Sequence, residues 1–223
     1  MKSHGAVACG HAETAKAAES ILREGGNAFD AIIASFLTSC VVEPVLASLG
    51  GGGFLLAHTG NHRDVLYDFF AQTPRTPLPR DKLDFYPIHA DFGATTQEFH
   101  IGLASIATPG AIKGVFQIHQ DLCTMPMTVL VQPAIEAARH GVVMSSFQAY
   151  ILNIIAPILT ATEESRQQYQ SHIHPEVLIA EGEVFKQSRV ADFLQALATE
   201  GGDLFYRGEI AQAIASMCSA GGG

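Results

Sequence analysis

The residue types that could do chemistry in this chain are present, but most fail on spacing. Of its 10 histidines, His172 and His174 flank Ile173, so an extended segment would put both rings on one side as a metal-ligand pair. No Cys, Asp or third His stands nearby at ligand spacing and there is no HExxH, so the pair reads as solvated or capping and no metal is expected. The run LGGGG, Leu49 to Gly53, raises phosphate binding. A Walker loop needs a lysine and a following helix, and a dinucleotide fingerprint also precedes a helix. Here no lysine follows and a strand comes next. The run reads as backbone packed too closely for side chains, with a backbone lining a ligand site as the alternative. Nucleophilic catalysis has no GxSxG elbow and no SxxK. The carboxylate pairs Glu163-Glu164 and Glu181/Glu183 lie in polar stretches and read as solvated faces. By themselves the residues give no active site, so no catalytic residue and no cofactor is expected within the chain.

Composition narrows the class. A chain of 223 residues, 48% hydrophobic with a mean hydropathy of +0.20, can bury a core and is not disordered. A net charge of -9 and a pI near 5.5 exclude nucleic acid and an anionic membrane surface as partners. No tryptophan and 8% aromatic residues leave little for base stacking. Cys9, Cys40, Cys123 and Cys218 are far apart without a CxxC, as free thiols of a reducing compartment would be. The start, MKSHGAVACGHAE, lacks the apolar run of a secretory signal, and no apolar stretch is long enough to span a bilayer. A cytoplasmic protein is the expectation.

The elements that must hold any site follow from periodicity and punctuation. Apolar positions recur at helical spacing from His11 to Glu24, stopped by Gly25-Gly26. Asn27 caps a second helix with Asp30 in its first turn, apolar almost all round and ended before Pro44. FLLAH and DVLYDFF flank TGNHR as an antiparallel hairpin. It delivers Phe69 and Phe70 into a turn, and Phe69 is assigned to the core. Pro74 to Glu98 reads as less ordered, IGLASIA as a third strand, and TPG as a helix start with Thr108 as cap and Pro109 first. Short helices are expected over Pro126 to Val131 and Pro133 to His140. A helix capped by Ser145 or Ser146 runs to Ala156, and two more span Val190 to Glu200 and Gly208 to Ser219. Few strands, placed early, and many helices make the class α+β, a sheet layer with helical cover. Because the chain stops on GGG straight after a helix, residues 1–223 read as one incomplete domain.

The order of these pieces says more. HGAVACGHAETAKAAESILREGGNAFDAIIASFLTSCVVEPVLASLGGGGFLLAH resembles the start of the gamma-glutamyltranspeptidase family. The match rests on His11, Gly25-Gly26-Asn27-Ala28, Asp30-Ala31, Val42-Glu43-Pro44 and Gly50 to Phe54. TPGAIKGVFQIH, QPAIEAARHG and LFYRGEIAQAIA resemble later family segments, in order. The resemblance implies part of an N-terminal-nucleophile hydrolase αββα sandwich, made as a proenzyme that cuts itself ahead of a threonine. That threonine attacks the γ-glutamyl carbonyl with its own α-amine as general base, and the acyl group passes to water or to an amine. The family's nucleophile lies C-terminal to everything in this chain. The implied partners are a small-molecule amide, a γ-glutamyl compound or related acyl amide, and the C-terminal part or small subunit of the same protein. A non-catalytic binding or structural homologue that does not self-process is the alternative.

One departure concerns the substrate. The family's DGRExAP-like motif, whose arginine grips the α-carboxylate of the glutamyl group, aligns with DFFAQTP. Asp68 falls on the aspartate, Pro74 on the proline and Phe70 on the arginine. A lost charge-assisted bidentate contact costs roughly 1.5–3 kcal/mol. Phe70 is therefore the candidate acyl-contacting residue and implies a more apolar acyl group, while Arg75, five positions on, is the candidate substitute.

Overall fold

In this computed structural model the described residues are 5–76 and 78–223, and the first helices begin where the sequence supplies caps. Helix α1 (Ala12–Arg23) follows His11, whose Nδ1 accepts the Glu13 amide at 3.1 Å. Helix α2 (Ala28–Val42) opens on a reciprocal capping box. Asn27 Oδ1 accepts the amides of Phe29 and Asp30 at 2.7 and 2.9 Å, and Asp30 accepts the Asn27 amide at 2.8 Å. As its apolar sequence requires, α2 buries Ile33, Leu37 and Val41, while Ile32 stays 43% exposed.

Strands β1 (Phe54–His58) and β2 (Asp64–Asp68) form the expected hairpin, with Leu56 opposite Leu66. The left-handed residue of its turn is His62, at φ 59°, rather than Gly60 or Asn61. The next region corrects two expectations. Pro74 to Glu98 contains β3 (Tyr86–Asp91), paired in antiparallel register with β4 (Thr96–Ile101). IGLASIA is not the third strand, because the chain leaves the ladder after Ile101. There Gly102 takes φ 107°, and Asp84 accepts the Leu103 amide at 2.7 Å, drawing Leu103–Ser105 into a single 3-10 turn.

A third correction concerns α3 (Ala111–Leu122). Thr108 is no cap, since it pairs as extended chain with Gln72, and Pro109 precedes the helix, with Gly110 at the cap position. Helices α4 (Met127–Leu130) and α5 (Gln132–His140) fall where proline starts them, and Gly141 at φ 87° stops the second. After β5 (Val142–Val143), Ser145 and Gln148 make a second capping box for α6 (Ser146–Ile154), which ends two residues short of Ala156. The elements α7 (Ala156–Leu159), α8 (Glu163–Tyr169), β6 (Val184–Phe185) and α10 (Asp203–Tyr206) have no counterpart in the periodicity, being too short to carry one. Helices α9 (Ser188–Glu200) and α11 (Glu209–Gly221) match the two expected at the end, each within two residues.

The chain forms two compact units interleaved along the sequence. The first runs to Thr73 and adds Ala107–Gly141 and Lys186–Ala211. Its core packs α2 against α1 and α5, and α5 against α9, around Ile33, Leu37, Ile135 and Leu194. Gln187 fastens it, its side chain donating to Val41 O at 2.7 Å and its backbone amide to Ala138 O at 2.9 Å. The second unit comprises Pro74–Ile106, Val142–Phe185 and Gln212–Gly223, with the β3–β4 ladder, the short β5–β6 pair and a Tyr169–Phe185 ring stack. Among the described residues no helix is long and apolar enough to cross a membrane.

Candidate functional site

The turn that leaves β2 is built by glycines on two separate segments. The ladder runs one pair past the strands, Phe69 N donating to Gly53 O at 3.0 Å and Gly53 N to Phe69 O at 3.3 Å. A Cβ at Gly52 would strike Ala71 N and the Phe69 carbonyl, so the glycine run lets residues 69–71 cross it directly. A Cβ at Gly110 would meet the same carbonyl, and one at Gly114 the Phe69 side chain. Phe69 thus lies half-buried against Gly53 and Gly114, and the glycine run is close packing of backbone against backbone.

Phe70 goes the other way. Its amide donates to Asp68 Oδ1 at 3.0 Å, a local turn that swings the ring outward, where it is 55% exposed. The ring stacks on Phe54, which is 59% exposed, with centroids 5.5 Å apart and planes 16° from parallel. Gln72 closes the turn by donating its side-chain amide to Phe70 O at 3.3 Å and exchanging both backbone bonds with Thr108, at 3.0 and 2.7 Å. Arg75 is exposed, belongs to the second unit, and makes no ion pair among the described residues.

Beneath the hairpin lies a cleft of about 300 Å³. One stripe of α2 (Ile32, Phe36 and Ser39 at helical spacing) and the cap residue Glu43 that follows it face the cleft, with Leu55 and Phe69 among its other lining residues. Its polar end is Glu43, which accepts the hydroxyl of buried Thr14 at 3.3 Å.

The start of α3 is held from two distant segments. Gly51 O accepts the amides of Gly110 and Ala111 at 2.9 and 3.0 Å. The Tyr206 hydroxyl accepts the Lys113 amide at 3.1 Å and donates to Pro109 O at 2.9 Å. Burial pushes the Tyr206 phenol up, against the opposing effect of the Lys113 amide, so at neutral pH the hydroxyl keeps the proton it donates. Sequence reasoning singled out neither Phe54 nor Tyr206 for this turn. The only signal was that each ends or enters a quoted motif, GGGGF and LFYRG.

Residues 14–223 match the family model described as Gamma-glutamyltranspeptidase. The Glutathione hydrolase proenzyme of Escherichia coli (strain K12) is 30% identical over 220 residues, 98% of this chain and 37% of that protein. The Acylase ACY 1 proenzyme of Pseudomonas sp. (strain V22) is 28% identical over 232 residues, 99% of this chain and 39% of that protein. The crystal structure of Helicobacter pylori gamma-Glutamyltranspeptidase superposes with a TM-score of 0.85 at 26% identity, over 100% of this chain and 62% of that one. The chain therefore spans little more than a third of the curated relatives' length. Its class is α+β as expected, and its fold is part of that of the N-terminal-nucleophile hydrolases.

Proposed function

Because the chain belongs to the gamma-glutamyltranspeptidase family, we propose that it is the N-terminal portion of a self-processing amidohydrolase and acyl transferase. The observation that carries this reading is the match of residues 14–223 to the family model, beside relatives that include a glutathione hydrolase proenzyme and an acylase proenzyme. In the complete protein a threonine freed by self-cleavage attacks the amide carbonyl. Its α-amine takes the hydroxyl proton and returns it to the departing amine, leaving an acyl-enzyme ester that water or a second amine opens. This chain contributes the acyl pocket, and its partner is the small subunit of the same protein.

Phe70 supports an acyl group more apolar than γ-glutamyl. A ring that is 55% exposed and stacked on Phe54 offers a flat apolar face and no donor for a carboxylate. Arg75, five residues on in sequence and exposed, is the candidate for carboxylate binding. The four unpaired cysteines support a reducing, cytoplasmic location, which fractionation of the source cells tests.

The experiment is expression of the complete gene, followed by subunit analysis and assay of a γ-glutamyl anilide beside non-glutamyl anilides. Two subunits, a new N-terminal threonine and preference for the apolar acyl amide are expected. A chain that never cleaves and turns over no amide would overturn the reading in favour of a non-catalytic homologue. Efficient γ-glutamyl turnover that Arg75→Ala leaves unchanged would remove both the apolar pocket and the substitute arginine.

A further inference from the structure

The turn that presents Phe70 is fixed by contacts that run through the start of α3 to one hydroxyl. An α-helix leaves its first amides without partners, and no side chain caps α3 from Gly110. Gly51 takes two of those amides and Tyr206 takes a third, that of Lys113, while the same hydroxyl holds Pro109 O from the other side. Tyr206 thus pins both the last residue before the cap and the first turn of the helix. The chain on either side of that pin is in contact with the turn. Thr108, one residue before Pro109, is bonded twice to Gln72. Gly110, one residue after it, packs without a side chain on Phe69 O, and Gly114 packs on the Phe69 ring.

We propose that Tyr206 is a positioning residue for the acyl pocket, fixing the Phe69–Gln72 turn through Pro109 and the start of α3. Among the described residues no hydrogen bond or ring contact joins Tyr206 to residues 69–72, so it acts through the backbone it holds. That the turn meets an acyl group rests on the function proposed above; the mechanical coupling does not. GGGG, PGAIKG and FYRG, far apart in the chain, meet here, and each supplies one side of the same joint.

The test is Tyr206→Phe in the complete protein, which keeps the ring and removes the hydroxyl. Amide exchange is expected to speed up roughly tenfold at Lys113 and also at Thr108 and Gln72, while Leu194 and Leu197 in α9 keep wild-type protection. In steady state the KM for the preferred acyl amide should rise roughly three- to tenfold, with kcat within about twofold. Faster exchange confined to Lys113, with KM unchanged, would overturn the coupling and leave Tyr206 a helix cap. If the variant does not fold, the wild type decides. Under a denaturant gradient Lys113, Thr108 and Gln72 must open together with one denaturant dependence, and separate openings overturn the proposal. A protein that lacks amidase activity altogether fails the functional reading alone, because the exchange measurement still reads the coupling.

Discussion

Thr124 donates its hydroxyl to Asp30 at 2.6 Å, although Asp30 is fully buried. The same carboxylate accepts the amides of Asn27 at 2.8 Å, Thr124 at 2.9 Å and Met125 at 3.0 Å. One side chain therefore closes the cap of α2 and ties it to the segment that follows α3. Burial alone would raise its pKa. The bonds from Thr124, Met125 and Asn27 outweigh that and hold the carboxyl below its ordinary value.

A depressed folded-state pKa contributes stability that is present above the unfolded value, about 3.9, and is lost as pH falls through the folded one. Asp30→Asn should therefore cost roughly 2–4 kcal/mol at neutral pH, where a charged acceptor of several donors is lost. The gap from wild type should narrow below about pH 4. Urea unfolding across that range checks it, and a gap constant to the acid limit would take the charge out of the account.

Three of the four thiols should separate by reactivity. Burial pushes Cys40 up to about 12, with weaker opposing bonds. Cys123 is also pushed up to about 12, by burial first and then by the Asp30 charge beside it. Cys9 is exposed. Alkylation at about pH 8, where the thiolate is the reactive form, should label Cys9 first, with Cys40 and Cys123 reacting only as the protein opens. Mass spectrometry of timed samples reads this, and early modification of Cys40 would contradict the burial of α2.

The hairpin, the cap of α2 and most helices were legible because each is set by residues within one turn of itself. Asn27 with Asp30, and Gly141 after His140, are decided locally. The β3–β4 ladder was not legible: YPIHAD and TQEFHI mix polar and apolar residues, so alternation is faint and the pairing is set by a turn at Asp91 to Thr96. Thr108 looked like a cap because Thr-Pro-Gly is a common helix start, and only the pairing with Gln72, 36 positions away, overrides it. Of the candidate site, the alignment singled out Phe70. Its stacking partner Phe54 and the remote hold of Tyr206 come from contacts that no local window contains.

The outer face of the β1–β2 hairpin carries an apolar stripe. Phe54, Leu56 and Leu66 are 59%, 72% and 61% exposed, and Phe70 continues the stripe past the strands. Contiguous exposed apolar surface drives association. The 223-residue chain prepared alone should self-associate, and Leu56→Lys with Leu66→Glu should shift it toward monomer. Because both positions are exposed, the pair should change unfolding stability by no more than about 1 kcal/mol. Sedimentation velocity over a concentration series decides this. A wild-type chain that stays monomeric at the highest concentration would place no sticky surface on the hairpin.

Phe70 should set the acyl preference of the complete protein, and replacing it should change that preference in a stated direction. The outward turn at Asp68 depends on the Phe70 backbone amide and not on the ring, so Phe70→Arg keeps the geometry that presents the side chain. A guanidinium there can bond a carboxylate through two parallel donors, worth roughly 1.5–3 kcal/mol. In kcat/KM that is a gain of roughly ten- to a hundredfold for a γ-glutamyl anilide, with an accompanying fall for the apolar acyl anilide. Phe70→Leu serves as the control, apolar but unable to stack on Phe54. It should lower turnover of flat acyl groups while leaving γ-glutamyl turnover where it was. If Phe70→Arg changes neither substrate, the ring does not meet the acyl group, and the alignment of DFFAQTP with the family motif is off by a residue.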